Sequence, residues 1–308
     1  MKPIKLMIIG LMMGAAEVVP GVSGGTIAFI SGIYKRLITS IKQFTPVLFM
    51  TLYKEGIGVV WQKVDGLFLL FLFLGMGTGI ILFAGGIGYM LNNHPIAIWS
   101  LFFGLVLSSA FVVGNQIQEK DLKALFAAFG GVVFGLMVTQ LVPIELEPGP
   151  LTLFLGGSVA VCAWILPGLS GSFILLILGL YAFVIDAIGV MDIYHLSFLA
   201  AGCAVGIVSF SHFLSRLLTR YQDLTLAVLT GFMLGSLIKL WPWKNTVSYL
   251  LRDDGRQIPL VQEPITPAQY EQLTGADPQL LLAGALVLFG CMLVFLIDWL
   301  VIEEDESE

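Results

Sequence analysis

Two short stretches carry the residues most able to do chemistry. Pro20-Gly21-Val22-Ser23-Gly24-Gly25-Thr26 and Pro167-Gly168-Leu169-Ser170-Gly171-Ser172 each place hydroxyls and glycines directly behind a Pro-Gly pair, inside apolar sequence. Proline removes a backbone donor and glycine loosens the chain, so a helix stops there and another can restart. The restarting helix aims free N–H groups and its positive dipole end into the apolar surroundings, an arrangement suited to phosphate. Ser23, Gly24, Gly25 and Thr26, with Ser170, Gly171 and Ser172, are therefore candidate phosphate-binding residues. The plainer alternative, that they only let two helices turn and pack, is weakened by the presence of two copies.

Other groups are less specific. Glu17 lies three residues before Pro20 in an apolar arm. A carboxylate inside a membrane is costly and is a functional candidate by default. It could carry a proton that offsets substrate charge, or it could bond the open backbone at the break; the second copy has Trp164 in its place. Arg216 and Arg220 are one helical turn apart, which suits a lipid phosphate or simple anchoring at a membrane face. Cys162, Cys203 and Cys291, and His94, His195 and His212, show no metal-ligand spacing, so neither metal nor cofactor is expected. Both breaks contain G-x-S-G, which resembles the nucleophile motif of rhomboid intramembrane proteases. A serine nucleophile needs a histidine base, and only His212 falls in a span, near its end.

The elements that must hold these residues are membrane helices. The chain is 57% hydrophobic and only 12% charged, with mean hydropathy +0.94. A soluble domain needs far more charge to cover its surface. The net charge of −6 sits largely in the tail Glu303–Glu308, and no basic run points to nucleic acid. Residues 4–34 and 151–189 read as re-entrant hairpins broken at Pro20-Gly21 and Pro167-Gly168. Each arm of the first, about 14 residues, extends about 21 Å as a helix, short of the roughly 30 Å core. Residues 35–65, with five basic residues, read as amphipathic and interfacial. Spans are expected at about 66–91, 95–114, 122–142, 196–215, 224–241 and 280–301, with 242–279 a polar outer loop before the last.

The sequence repeats. An offset of 147 matches Pro20, Gly21, Ser23, Gly24, Ile27, Ile30, Gly32 and Tyr34 with Pro167, Gly168, Ser170, Gly171, Ile174, Ile177, Gly179 and Tyr181. An offset of 127 pairs Gly75 and Gly79 with Gly202 and Gly206, and a weaker one of 155 pairs Phe134-Gly135 with Phe289-Gly290. Two units follow, 1–142 and 143–308, each a hairpin plus three spans. An odd number of crossings per unit gives them opposite orientations, the inverted-repeat plan of many secondary transporters. The repeat also argues against a cleaved signal peptide at the N-terminus. With both termini cytoplasmic, eleven of the fifteen Lys and Arg face inward, as the positive-inside rule asks.

The stretches from Gly14 to Thr26 and from Trp164 to Ser172 resemble a family of bacterial and archaeal membrane proteins formerly filed as a domain of unknown function, the polyprenyl-phosphate transporters. The resemblance covers nearly the whole chain. It implies a non-enzymatic flippase of the bacterial cytoplasmic membrane that returns undecaprenyl phosphate from the outer to the cytoplasmic leaflet, for carrier-lipid recycling in envelope polymer synthesis. Its partner is then the polyprenyl phosphate itself. Two other classes remain open from the residues: a small-anion secondary transporter using the same hairpins, and the intramembrane protease. Oligomeric state is not legible.

Overall fold

The computed structural model describes residues 2–19, 21–141, 143–144, 146–251 and 257–305. Pro20 and the end of the acidic tail thus lie outside the described residues. The first half contains α1 (Pro3–Glu17), α2 (Gly24–Ile30), α3 (Tyr34–Ile41), α4 (Pro46–Glu55), α5 (Ile57–Lys63), α6 (Gly66–Asn93), α7 (Pro95–Asn115) and α8 (Leu122–Thr139). The second contains α9 (Pro150–Ile165), α10 (Gly171–Ile177), α11 (Tyr181–Gly189), α12 (Ile193–Arg220) and α13 (Gln222–Ser236), which a 3-10 turn extends to Leu240. The strands β1 (Lys244–Leu251) and β2 (Gln257–Pro264), then α14 (Pro267–Thr274) and α15 (Leu280–Asp305), complete it.

By length and composition α6, α7, α8, α12, α13 with its extension, and α15 can cross a membrane. The chain is an all-α polytopic membrane protein. Its one addition is in the loop expected at 242–279, where β1 and β2 pair antiparallel and α14 follows. The segment 35–65 becomes three short helices, none long enough to span. At 28 residues, α6 and α12 each reach about 42 Å.

The hairpins depart from expectation in their second arms. Each arm stops after seven residues, at α2 and α10, and the chain turns again; α10 and α11 are bent by 112°. Gly32 (φ +70°) and Gly179 (φ +71°) make these stops. Beyond them Ile33 N–H donates to the Ala28 carbonyl and Leu180 N–H to that of Leu175, the six-to-one bond of a glycine-terminated helix.

Close helix pairs form where glycines let backbones meet. Gly10 lies on the Leu72 carbonyl, and Gly75 and Gly79 on those of Met7 and Leu11, so α1 runs parallel to α6. In the same way Gly157 lies on Leu199, and Gly202 and Gly206 on Phe154 and Ser158, joining α9 to α12. Side chains added there would strike backbone, which cannot yield as a flexible side chain does. The outer helices pair across the halves. Gly231 meets Ala128 and Gly131 meets Val228 between α13 and α8; Gly104 meets Val287 and Gly290 meets Leu101 between α7 and α15. The counterpart of Gly131 by packing is Gly290, an offset of 159. The offset of 155 read from the sequence is therefore one helical turn short.

Two ends can be distinguished. The basic end carries α3–α5, residues 116–121 and the α12–α13 turn, where Asp223 accepts from Gln118 N–H and Glu119 N–H. The loop end carries the α6–α7 turn, residues 140–141 and 146–149 and the paired strands β1 and β2, with Ile96, Trp243 and Ala283 packed together. Helices α7 and α13, with 72% and 56% of their spans buried, form the centre; α8 and α15, at 22% and 17%, face outward.

Candidate functional site

The two breaks meet inside the helix bundle. Hairpin one leaves the basic end along α1 and returns along α2, whose far end joins Tyr34, Gln116 and Leu218 around one small cavity. Hairpin two leaves the loop end along α9 and returns along α10, where Ile144 N–H donates to the Ile177 carbonyl. A helix ending within a membrane must find partners for its last carbonyls, since no water is at hand. At α9 they come from the other hairpin. Ser23 Oγ donates to the Trp164 carbonyl at 2.8 Å and Tyr34 Oη to that of Ile165 at 3.1 Å. In return Gly168 N–H donates to Thr26 Oγ1 at 3.2 Å. A Cβ on Gly25 would fall 2.5 Å from the Ile165 carbonyl oxygen, so only glycine lets the seam close.

The tips are unlike. In the first, all of α2 is buried, as are Ser23 and Thr26. Ser23 Oγ also caps α2 by accepting from Gly25 N–H at 3.0 Å. Glu17 Oε1 accepts from Gly24 N–H at 2.6 Å, so a carboxylate already occupies the anion-binding end of this helix. Trp164, its counterpart in the repeat, is its neighbour. In the second tip Ser170 caps Phe173 N–H at 3.2 Å and shares a 2.7 Å hydroxyl–hydroxyl bond with Ser172. There Gly171 and Ser172 are half-exposed.

Arg216 and Arg220 are not part of the tips. They line a cavity of about 480 Å³ at the basic end together with Lys42, Thr45, His212 and Ser215. Lys42 Nζ donates to Ser215 Oγ at 2.8 Å, and Arg220 stacks on Tyr221. The candidate phosphate-binding residues thus lie in two places, the tips at the centre and the two arginines at this end. Lys42 belongs to it although sequence reading assigned it only to the interface.

The loop end holds a second group that sequence reading missed. Lys239 lines a cavity of about 330 Å³ with Thr139, Gln140, Phe173 and Glu263. Its Nζ lies 4.6 Å from the centre of the Phe173 ring on hairpin two. Its stem passes Gly21 on hairpin one, where an added Cβ would stand 3.4 Å from Lys239 Cγ. One cation thus touches both tips. Nearby, Lys244 Nζ sits 3.3 Å over the Trp99 ring, buried and without a hydrogen-bond partner among the described residues. Burial, and then the charge of Lys239, push its ammonium well below the usual lysine range. The available signal was a lysine at the apolar end of a span, on the side the charge bias leaves poor in cations.

Among the described residues no hydrogen bond joins Ser23 or Ser170 to a histidine. The Ser23 and Ser170 hydroxyls are bonded as described, while His212 Nδ1 pairs with the Val208 carbonyl at 2.8 Å and lines the basic-end cavity.

Buried tips with cation-lined cavities toward both ends belong here to a polytopic membrane protein of the broken-helix kind. Residues 13–258 match the family described as undecaprenyl phosphate translocase-like, and the chain belongs to that family. It is 47% identical over 285 residues to a polyprenyl-phosphate transporter of Vibrio cholerae, covering 92% of each chain. It is 30% identical over 264 residues to one of Staphylococcus aureus, covering 76% of this chain and 84% of the relative. No solved structure matches it.

Proposed function

We propose that this protein carries polyprenyl phosphate, in particular undecaprenyl phosphate, across the bacterial cytoplasmic membrane from the outer to the inner leaflet. The returned carrier re-enters envelope polymer synthesis. The observation that carries this reading is the meeting of two hairpins entered from opposite ends, with Lys239 at the loop-end mouth and Lys42, Arg216 and Arg220 at the basic end. The names of the relatives support the class of cargo; charge bias supports placing the basic end in the cytoplasm, and the inward direction is part of the proposal. The matched pairings of α1 with α6 and α9 with α12, and of α8 with α13 and α15 with α7, support two inverted units.

Lys239 attracts the phosphomonoester from the loop end to the half-exposed second tip at Ser170, Gly171 and Ser172. The seam then parts, and Ser23, Gly24, Gly25 and Thr26 complete the phosphate's shell. Glu17 is the competing anion at Gly24 N–H. When it takes a proton, the N–H can turn to a phosphate oxygen, so proton uptake and phosphate entry are linked. The gain is modest per bond but charge-assisted. No covalent step is involved, and the apolar tail stays in the membrane beside the helices.

The test is a count of polyprenyl phosphate at the cell surface with a probe that binds this headgroup. Deleting the gene should raise the surface signal, and restoring it should lower it. Surface levels that ignore the gene would remove the lipid reading and leave small-anion transport.

A further inference from the structure

The insert α3–α5 does more than lie beside the bundle. Phe44, Leu48 and Leu52 face Ala204, Val205 and Val208 of α12 across an apolar cavity of about 600 Å³, within the usual size of a ligand pocket. Thr45 lines this cavity and also the cationic one that holds Lys42, Arg216 and Arg220. The two are consecutive along α12, so they form one groove with an apolar and a cationic part; from Val205 to Arg216 it runs about 16 Å. Its outer wall is fixed in place. Arg36 is paired with Asp65 at 2.6 Å across the base of the insert and stacks on Phe68, and Lys42 bonds Ser215 on α12. Among the described residues Lys42, Arg216 and Arg220 have no ion-pair partner.

We infer that this groove is the docking site of a single-chain lipid phosphomonoester at the basic end, holding the carrier lipid as it leaves the hairpins. This rests on the transport reading and locates its release step. The chemistry selects the occupant. A phosphomonoester carries nearly two negative charges at neutral pH, matching a cluster of three unpaired cations, whereas the phosphodiester of a common phospholipid carries one. Arginine forks bind phosphate oxygens two at a time. The single apolar cavity next to the cations takes one tail. The insert, of which only α3 has a counterpart (α11) in the second half, thus supplies one wall of the site and the lysine of its head.

The experiment uses the full-length protein in proteoliposomes with a diazirine-bearing polyprenyl monophosphate, the cross-linked peptides being mapped after illumination. Adducts are expected on residues 44–52 and 204–209. The double variant Arg216→Gln, Arg220→Gln should lower their yield about tenfold, the loss of charge-assisted bonds to the head. A diazirine-bearing phosphatidylglycerol should label the same segments far less. Adducts confined to other segments, a yield unchanged in the double variant, or equal labelling by phosphatidylglycerol would each overturn the assignment. If translocation in the same vesicles persists through any of those results, only the groove is lost. If the wild-type protein neither labels nor moves the lipid, the transport reading falls with it.

Discussion

The two hairpins share eight identities over fifteen positions, yet they present their tips differently. The first is shut: Ser23 bonds the other hairpin, Glu17 holds Gly24 N–H, and every residue of α2 is buried. The second is ajar: Ser170 and Ser172 bond each other, α10 borders a cavity, and Lys239 lies over Phe173. The difference comes from three positions. Glu17 is replaced by Trp164, Gly25 by Ser172, and Thr26 by Phe173. Near-identical breaks can thus serve as a fixed latch and an open receptor, with only the receptor exposed toward the loop end.

The strongest way to break this comparison is at the glycines that begin the breaks. Gly21 (φ +90°) and Gly168 (φ +88°) share a backbone strained for any other residue, but a Cβ on Gly168 meets Ser236 Oγ at 2.8 Å and Met233 Cα at 3.1 Å. One on Gly21 meets only side-chain atoms, Lys239 Cγ at 3.4 Å and Leu240 Cδ2 at 3.6 Å. Gly168→Ala should cost about 3 kcal/mol and Gly21→Ala about 1 kcal/mol in thermal unfolding of the purified protein. Equal losses would mean that the two breaks are held alike.

The serines come next. Ser23→Ala removes a cap and a bond across the seam, leaving the Trp164 carbonyl without its partner, and should cost about 2 kcal/mol. Ser170→Ala removes a cap next to a half-exposed serine and should cost about 1 kcal/mol or less. A larger loss for Ser170→Ala in the same unfolding measurement would reverse the roles of latch and receptor.

Glu17 gives a smaller effect on stability and a sharper one on coupling. Glu17→Gln keeps an oxygen for Gly24 N–H and should unfold near the wild-type temperature, whereas Glu17→Ala orphans that donor and should cost about 1–2 kcal/mol. Transport by Glu17→Gln should no longer respond to an imposed proton gradient. A gradient response that survives makes Glu17 purely a structural cap, the other reading its sequence position allowed.

Much of this was legible in the residues. The breaks announced themselves through Pro-Gly followed by hydroxyls, and the spans through hydropathy. The second stops at Gly32 and Gly179 were visible as matched glycines, but a glycine in a repeat does not by itself say that a helix ends there. The folded loop was hidden because a polar stretch between spans carries no period strong enough to separate strand from coil. Lys42 and Lys239 were hidden for a different reason. Their importance lies in what they approach across 173 and 66 positions of chain, Ser215 and Phe173, and no local spacing encodes that. The slip of the last repeat by one turn has the same origin, because glycine identity fixes a helix face but not which turn of it packs.

The central claim is that a polyprenyl phosphate passes from the loop end to the basic end between the tips. The most direct measurement is the initial rate at which that lipid changes leaflet in proteoliposomes containing the purified protein, compared between wild type, Lys239→Gln and Lys239→Arg. The account predicts transfer by the wild type, a rate about tenfold lower for Lys239→Gln from the loss of one charge-assisted contact, and substantial recovery with Lys239→Arg. A wild-type protein that leaves the lipid in the leaflet where it was placed, or a Lys239→Gln variant that moves it at the wild-type rate, would contradict it.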